Sequence, residues 1–519
     1  MKFSLENNNK VWIFVVLVAA LISFTFINAY PISILDEAKN AEAAREMWAS
    51  GTYWVPKFNG ELRTDKPPLH YYFMLLGFNL FGTTVLGARF FSALMGFITL
   101  LTTFGFARRY FGNAVAQTTL LILVGSFFFM QEFHLAVPDP YLIAFVTLGL
   151  FSFYHFYVTK KYLYLVLFYF FLALGALSKG PVAIALPGLS VGLFILLQKE
   201  LKNTFRYYPI LGLLGIALIV VPWFWQVHLK TDGLWTQGFF YDHNLSRFSA
   251  PMEGHGGSFL VTWGFVFLGL LPFSFFIPQA FRHAWRERTN PALAFTGCVA
   301  VVFIVFFSIS STKLPNYTMP CYAFTTLLLG SFFTKKMDVG FSRWDMVSVL
   351  LLSLLAMALP VVAHVGMQQE VSLISLSHVA FGLVPTAIGT LLGLLFYIRK
   401  KTAAFLLTTT FSWGMLLFIL HGYLYPQLTA VLPTTAVAEV LPENAKIVVY
   451  KRMDAAFPFA FQQTFKVIHN INEVANLEGY YLLTNHSEGQ DLDAFENIRR
   501  VISRKALFEN HTTVLYRIE

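Results

Sequence analysis

The stretch Ile34-Leu-Asp-Glu-Ala-Lys-Asn-Ala-Glu-Ala-Ala-Arg45, followed by Thr64-Asp-Lys-Pro-Pro-Leu-His70, decides the fold. Residues 11–29, just before it, form an apolar run without a charge that is long enough to cross a bilayer. Asp36 and Glu37 therefore stand where the chain leaves the membrane. A carboxylate at this boundary is costly unless it is used or paired, and Lys66, held by two prolines, is a candidate partner. This membrane face is where we expect the chemistry.

The composition excludes an ordinary soluble domain. Of 519 residues, 56% are hydrophobic and only 13% are charged, and the mean hydropathy is +0.60. These values indicate a polytopic α-helical membrane protein. The net charge of +9 lies in short Lys/Arg clusters between apolar runs, which favours a membrane topology signal over a nucleic-acid partner. Cys298 and Cys321 lie in apolar runs and indicate packing, with neither a disulfide framework nor a cysteine metal site.

Apolar runs of spanning length recur along the chain and predict about 13 transmembrane helices. Basic residues alternate between the connections and predict a cytoplasmic N-terminus and, with an odd number of spans, a C-terminus on the outer side. Segment 69–82 is short and predicts a helix at the interface or a re-entrant one. The predicted spans are residues 11–29, 85–107, 114–131, 140–158, 164–178, 180–198, 208–227, 259–280, 293–311, 315–332, 347–365, 377–397 and 402–422.

The chain divides at about residue 425. Residues 1–425 form the predicted membrane domain, with outer-face loops at 31–84 and 228–258. Residues 430–519 have the composition of a small soluble α/β domain, which we expect on the outer side. Its pattern predicts strands at 445–450, 465–468, 480–483, 500–502 and 513–516, with helices at 454–463, 471–477 and 490–498.

The outward connections carry an unusual set of charges. Lys179 and Lys313 on the outer face work against the positive-inside rule and need a counter-charge, for which a phosphate is the simplest candidate. Together with Lys66 and Arg247 they could hold an anionic lipid headgroup. The carboxylates that remain for an acceptor are Asp36, Glu37 and Asp139. This set suits a group transfer in which a lipid phosphate leaves and a carboxylate handles the incoming nucleophile.

Structural explanations compete with these assignments. Asp36 and Glu37 could complement the dipole of a helix that begins there. The Lys66-Pro-Pro segment could simply end a loop, and Asp139, between two prolines, could be a turn residue. Five further histidines, His134, His228, His255, His364 and His421, are interpreted as packing or loop residues.

As an ordered set, the motifs resemble a known family. Asp-Glu follows the first span, Asp65-Lys-Pro-Pro ends its loop, Asp139 precedes a span and Lys179-Gly-Pro follows one. The set is completed by His243-Asn-x-x-x-Arg-Phe and Lys313-Leu-Pro-x-Tyr. This order resembles the bacterial ArnT-like aminoarabinose transferases and, more distantly, the protein O-mannosyltransferases, over about residues 1–330. The resemblance implies the GT-C fold and transfer of a sugar from a polyprenyl-phosphate carrier on the outer side of the membrane.

The resemblance also implies roles for individual residues. Asp36 would be the catalytic or acceptor-orienting carboxylate, and Asp139 would support the acceptor site. Lys66 and Arg247 would hold the carrier phosphate, and Tyr317 would help to bind it.

A divalent metal, zinc or magnesium, is a candidate cofactor, with Asp65 and His243 as its ligands by the same resemblance. The sequence departs from the family here, with Asp65 in place of the usual Glu and Asp242-His-Asn in place of His-Glu-His. Two ligands are also a sparse set for a metal.

The sequence thus predicts an inner-membrane glycosyltransferase that uses undecaprenyl-phosphate-linked sugar, with 4-amino-4-deoxy-L-arabinose and lipid A as candidate sugar and acceptor. A protein O-mannosyltransferase-like enzyme is the alternative within the class. A lipid flippase or transporter is the alternative outside it, but that class predicts repeated halves and charges in the middle of spans.

Overall fold

The computed structural model describes residues 8–246, 256–507 and 511–519, and helices dominate it. In chain order the α-helices are α1 Asn8–Phe24, α2 Leu35–Ser50, α3 Leu69–Phe81, α4 Val85–Tyr110, α5 Asn113–Gly125, α6 Phe127–Phe133, α7 Asp139–Thr159, α8 Tyr162–Lys179, α9 Val182–Leu197, α10 Pro209–Lys230, α11 Leu234–Gln237, α12 Phe259–Gly269, α13 Ile277–Arg286, α14 Pro291–Ile309, α15 Tyr322–Val339, α16 Arg343–Gln369, α17 Val384–Ile398, α18 Thr402–Ile419, α19 Tyr425–Leu428, α20 Pro433–Val440 and α21 Ala456–Phe461.

Many of these helices fit a bilayer. Within the described ranges, eight are long and apolar enough to cross a membrane, or up to ten if two bent pairs each count as one span. The chain is therefore a multi-pass membrane protein. Helices also lie at the three other predicted spans, where α1 has 17 residues, α9 has 16 and α15 has 18. At about 1.5 Å per residue, these three reach about 24–27 Å, slightly less than the hydrocarbon core of a typical bilayer.

Two predicted spans are broken rather than continuous. Helices α5 and α6 meet at 63°, and the segments 259–269 and 273–286 meet at 118°. The second break contains Pro272, which has no N–H to continue a helix. The two breaks face each other, because the backbone N–H of Phe127 donates to the carbonyl of Leu271 at 3.0 Å. The sequence pattern does not reveal such a break, because the helices on both sides of it are apolar.

In the described part of the chain, seven strands form two sheets. Strands β1 and β2 make a small antiparallel hairpin between α2 and α3. The other five make a mixed sheet in the order β4-β3-β5-β7-β6, in which β3 runs parallel to β4 and β5. Each of the five overlaps a strand that the sequence pattern predicts. Their bounds are β1 Lys57–Phe58, β2 Glu61–Leu62, β3 Ile447–Tyr450, β4 Val467–Ile468, β5 Tyr481–Asn485, β6 Ile498–Lys505 and β7 Thr512–Ile518.

The C-terminal sheet region packs on α2 and the β1–β2 hairpin. The side chain of Asn59 donates to the carbonyl of Phe465 at 3.0 Å and accepts from its N–H at 2.7 Å. Arg45 donates to the carbonyl of Gln462 at 3.3 Å. Phe459 is buried in the same apolar cluster as α2 and α3. The segment that follows α2, which carries Asp65 and Lys66, is thus held by contacts from the far end of the chain.

Candidate active site

Asp36 stands in the first turn of α2, beside two cations from the loop before α3. Its carboxylate oxygens lie 3.6 Å from Nη2 of Arg63 and 3.7 Å from Nζ of Lys66. The side chain of Asp36 stays 42% exposed, whereas the side chains of Arg63 and Lys66 are 4% and 11% exposed. Lys66 is fixed by Pro67 and Pro68, which lead directly into α3. The predicted pairing of Asp36 with Lys66 is present in the structure.

Arg63 organises this cluster, and the sequence analysis did not single it out. Its Nη2 lies 2.9 Å from a carboxylate oxygen of Asp65, so one guanidinium links Asp36 and Asp65. It also donates to the side-chain oxygen of Asn40 at 3.1 Å and to the hydroxyl of Tyr71 at 3.0 Å. Asn40 lies one turn after Asp36 on α2 and donates to the backbone carbonyl of Asp36 at 2.8 Å. These contacts fix the start of α2 against the loop.

The charges around Asp36 determine its ionisation. Burial by itself raises the pKa of the Asp36 carboxyl, but the positive charges of Lys66 and Arg63 outweigh this effect and lower the pKa from 3.8 to about 2. Burial also opposes ionisation of Asp65, and Arg63 and Lys66 lower its pKa in the same way. Both groups are therefore carboxylates at neutral pH.

Asp139 and Lys179 form a second, deeper pair. Asp139 is the first residue of α7 and is 1% exposed, and Lys179 is the last residue of α8. Nζ of Lys179 contacts one carboxylate oxygen of Asp139 and lies 5.3 Å from the ring centroid of Tyr317, a cation–π distance. The charge of Lys179 also lowers the pKa of Asp36, so the two pairs belong to one electrostatic unit.

A cavity of about 440 Å³ opens beside these pairs. One part of its lining is polar and contains Lys66 and Lys179. The rest is mostly apolar and aromatic, with contributions from four separate segments of the chain. The lining residues are Asp65, Lys66, Leu142, Lys179, Pro181, Val182, Ala185, Phe239, Phe240, His243, Asn244, Phe306, Phe307, Ser310 and Tyr317.

The segment after α10 covers the cavity on one side. Trp235 is fully buried, and its indole N–H donates to the carbonyl of Arg63 at 2.8 Å. Gly180 has a positive φ of 90°, and a Cβ there would lie 2.7 Å from the ring of Phe239. Glycine after Lys179 thus allows the close approach of this segment. Arg247, predicted to hold phosphate, lies outside the described residues.

Glu37 is not part of the cluster. It is 1% exposed, and its two oxygens lie 2.7 and 2.9 Å from Nε and Nη2 of Arg89 on α4. It also accepts from the backbone N–H of Ala136 at 2.8 Å. Both oxygens are therefore used to join α2, α4 and the segment before α7.

Lys313 is also placed away from the cavity lining. It is 6% exposed, and its ammonium donates to the carbonyl of Ser310, which itself lines the cavity. In this position Lys313 shapes the turn before Tyr317.

Asp65 and His243 both line the cavity, and the charge of His243 acts on Asp65. They do not form a metal site by themselves, because no group of three or more His, Cys, Asp or Glu residues of the kind that holds a metal occurs within the described ranges. One oxygen of Asp65 is already engaged by Arg63 at 2.9 Å. This donor set does not fit a divalent cation, and we derive no step through one.

Residues near the site that were not predicted from the sequence nevertheless have unusual positions for charged side chains. Arg63 lies in the predicted outer loop and goes against the positive-inside rule just as Lys179 does. Arg89 is a charge within an apolar run, which is rare unless it is paired. Glu132 lies in the second predicted outer connection, next to the apolar run 114–131.

Comparison with known proteins identifies the family. A family model described as dolichyl-phosphate-mannose-protein mannosyltransferase matches residues 65–225. An uncharacterized protein of Aquifex aeolicus is 30% identical over 351 residues, 66% of this chain and 69% of the relative. The undecaprenyl phosphate-alpha-4-amino-4-deoxy-L-arabinose arabinosyl transferase of Edwardsiella ictaluri is 31% identical over 304 residues, 57% of this chain and 54% of the relative. The chain thus spans about half to two thirds of the length of these relatives.

The crystal structure of ArnT from Cupriavidus metallidurans bound to undecaprenyl phosphate has the same fold. Its TM-score to this chain is 0.81 at 20% identity, and the match covers 98% of both chains. The fold is therefore the GT-C fold of membrane glycosyltransferases. With the curated relatives taken into account, the chain belongs to the ArnT-like family of these enzymes, which confirms the resemblance seen in the motifs.

Proposed function

We propose that the protein is an inner-membrane glycosyltransferase that moves a sugar from an undecaprenyl-phosphate carrier to an acceptor on the periplasmic face. The observation that carries this proposal is the cavity. Its lining combines the side chains of Lys66 and Lys179 with apolar residues that include Phe239, Phe306 and Phe307. Two ammonium groups beside an apolar wall suit a phosphate that bears a hydrocarbon chain. The names of the relatives, with undecaprenyl phosphate as carrier, support the same donor.

The donor phosphate binds between the two lysines in this proposal. The ring of Tyr317 lies 5.3 Å from the ammonium nitrogen of Lys179, a cation–π distance. Arg247 stands four residues after the cavity-lining His243 in the sequence and is proposed as a third cation, because its planar guanidinium can bind two phosphate oxygens at once. The sugar is proposed to be 4-amino-4-deoxy-L-arabinose, because the characterised relatives carry that name.

The acceptor is proposed to lie against Asp36, with Asp139 as the second carboxylate of the site. A carboxyl with a pKa of about 2 is a weak base, so Asp36 orients the acceptor better than it deprotonates it. This favours an acceptor that arrives already ionised, such as a phosphate of lipid A.

The transfer is a single displacement at the anomeric carbon. An oxygen of the acceptor forms the new bond to that carbon, and the bond from the carbon to the carrier phosphate breaks. The electron pair of the broken bond stays on the carrier phosphate, whose new charge is stabilised by the lysines. The configuration at the anomeric carbon is inverted.

The topology is part of the proposal. We propose thirteen spans, with α1, α9 and α15 among them, a cytoplasmic N-terminus and a periplasmic α/β region at residues 430–519. The basic connections, such as Arg108-Arg109 and Arg399-Lys400-Lys401, support this orientation.

The test is transfer in proteoliposomes that contain a purified lipid-linked sugar, together with mass spectrometry of lipid A and envelope proteins from cells with and without the gene. We expect a pentosyl-sized mass on lipid A, and Asp36→Asn is expected to abolish it while carrier binding persists. Asp232→Asn is the control, because Asp232 is an exposed carboxylate in the loop that follows α10.

Other results of the same experiment would overturn the proposal. A hexose on envelope proteins would favour the mannosyltransferase-like alternative, which the matching family model supports. Movement of the lipid across the bilayer without a new glycosidic bond would identify a flippase. Normal transfer by Asp36→Asn would remove the role assigned to Asp36.

A further inference from the structure

Asn40 is a fully buried amide one turn after Asp36 on α2, and the transfer mechanism assigns it no role. Its side-chain oxygen lies 3.1 Å from Nη2 of Arg63, 3.1 Å from Nε2 of His70 and 3.3 Å from the hydroxyl of Tyr71. Its side-chain nitrogen donates to the backbone carbonyl of Asp36 at 2.8 Å and lies 3.4 Å from Oδ1 of the same residue. A single amide thus links the first turn of α2 to the loop and to α3.

The surroundings fix the orientation of this amide. The guanidinium of Arg63 has only donors, and the hydroxyl of Tyr71 donates to Asn40, so the amide presents its oxygen on this side. On the other side, the carbonyl and the carboxylate of Asp36 are both acceptors, which need the N–H groups. A flipped amide would oppose donor to donor and acceptor to acceptor at once. Asn40 therefore has one orientation that satisfies both sides.

Asp36 does not form a close ion pair, although two cations stand beside it. Its Oδ1 lies 3.6 Å from Nη2 of Arg63 and its Oδ2 lies 3.7 Å from Nζ of Lys66, beyond the roughly 2.7–2.9 Å of a charge-assisted hydrogen bond. The same nitrogen of Arg63 lies 2.9 Å from Asp65, so Arg63 does form a close pair with that carboxylate. Oδ2 of Asp36, on the side of the cavity-lining Lys66, is thus the oxygen that can meet an acceptor.

We propose that Asn40 is a positioning residue, which holds Asp36 at its carbonyl and at Oδ1 and so keeps this carboxylate from closing onto Arg63. The proposal rests on the proposed function, in which Asp36 orients the acceptor. A carboxylate that closed onto the guanidinium would direct its lone pairs to Arg63 instead of to the acceptor. Asn40 thus acts on the acceptor through Asp36, whereas the donor phosphate is bound by Lys66 and Lys179.

Kinetics in which each substrate is varied separately test the proposal. Asn40→Ala removes both contacts to Asp36, so kcat/KM for the acceptor is expected to fall about 10²-fold, whereas KM for the lipid donor stays within about twofold of wild type. Asn40→Asp keeps an oxygen for Arg63, His70 and Tyr71 but replaces the N–H donors by a second oxygen. It is expected to impair use of the acceptor in the same way, measured per folded molecule.

The matched control is Asn113→Asp. Asn113 is the first residue of α5, and its side-chain oxygen accepts from Nε of Arg108 at 2.9 Å, so the same substitution again meets a guanidinium. Its kinetics are expected to equal those of wild type. Unchanged use of the acceptor by both Asn40 variants overturns the proposal. An equal loss for donor and acceptor in Asn40→Asp also overturns it, because a general disturbance of the fold would give that result.

Experimental structures in lipid nanodiscs give a readout that does not need turnover. In the wild type, the side-chain N–H of Asn40 is expected at the carbonyl of Asp36, with Asp36 beyond hydrogen-bond distance of Arg63. Asn40→Ala is expected to bring Asp36 and Arg63 within about 3 Å of each other. A close pair in the wild type, or an unmoved Asp36 in Asn40→Ala, overturns the role of Asn40. If Asp36 moves as expected but the wild type transfers no sugar, the proposed function fails and the positioning of Asp36 by Asn40 stands.

Discussion

Arg63 illustrates how single side chains set the properties of this site. One guanidinium contacts Asp36, Asp65 and Asn40, and its side chain is 4% exposed. Its charge acts with that of Lys66 to keep Asp36 ionised. The carboxylate proposed to orient the acceptor is therefore held in one charge state by its neighbours.

The first prediction concerns pH. The folded-state pKa of Asp36 is about 2, below its ordinary value of 3.8. The ionised carboxylate therefore stabilises the folded chain above the ordinary value, and this contribution is lost only as the pH falls through about 2. We expect no loss of kcat from protonation of Asp36 between about pH 5 and 8, measured as initial rates in proteoliposomes. An acidic limb near pH 5 in wild type that is missing from a residually active Asp36→Glu variant would contradict this assignment.

The second prediction concerns Lys66. Removal of one of the two cavity lysines weakens binding of the carrier phosphate, so Lys66→Ala is expected to raise KM for the lipid donor roughly tenfold or more. The measurement is a donor titration at saturating acceptor. Lys161→Ala, an exposed lysine between α7 and α8, is the matched control. Equal KM values for Lys66→Ala and the control would argue against the phosphate role.

At the scale of elements, α2 has two functions on two faces. Successive residues of an α-helix are about 100° apart, so Asp36 and Glu37 point in different directions from α2. Asp36 and Asn40, one turn apart, share the face towards the loop, whereas Glu37 joins α2 to α4 through Arg89. Neighbouring carboxylates in the sequence thus have different tasks.

The third prediction separates these tasks. Glu37→Gln breaks a buried, two-point ion pair, which typically costs about 3–5 kcal/mol of stability. We expect a clear fall of the melting temperature in detergent, while kcat per folded molecule stays within about twofold of wild type. A Glu37→Gln protein that is fully stable but has lost transfer would instead indicate that Glu37 contacts the substrate.

Part of this site could be predicted from the sequence and part could not. Lys66, Asp139 and Lys179 stand out because charges at the ends of apolar spans are costly unless they are used or paired. The separation of Asp36 from Glu37 depends on where α2 begins and how it packs. The cavity walls around Phe239 and Phe306 come from segments far apart in the chain, and a single sequence does not reveal such contacts.

The same limits apply to the fold. Helix and strand positions follow from apolar runs and alternation, which are local signals. The breaks at Ser126 and near Pro272 are joined by a hydrogen bond from the N–H of Phe127 to the carbonyl of Leu271, two residues far apart in the sequence. A count of apolar runs therefore registers both segments as ordinary spans.

At the scale of the whole molecule, the proposed topology makes a fourth prediction. Single cysteines in place of exposed Asp232, Arg499 and Lys161 can be labelled with a membrane-impermeant maleimide in intact cells. We expect labelling of Asp232→Cys and Arg499→Cys and none of Lys161→Cys. The native Cys298 and Cys321 are buried and serve as an unreactive background. Labelling of only one of the two outer positions would rule out the proposed arrangement.

The hydrogen-bonded contact between Asn59 and Phe465 links two segments that leave the ribosome far apart in time. At about 5–20 residues per second, roughly 20–80 s pass between their synthesis. The β1–β2 hairpin stays without its contact to Phe465 for that time. A chain that ends at a premature stop before Phe465 never forms this contact. We expect ribosome-bound chains that end before Phe465 to leave the region around Lys57 open to protease, and full-length chains to protect it. A prematurely terminated product would then sit in the bilayer with its sugar-transferring loop unfinished.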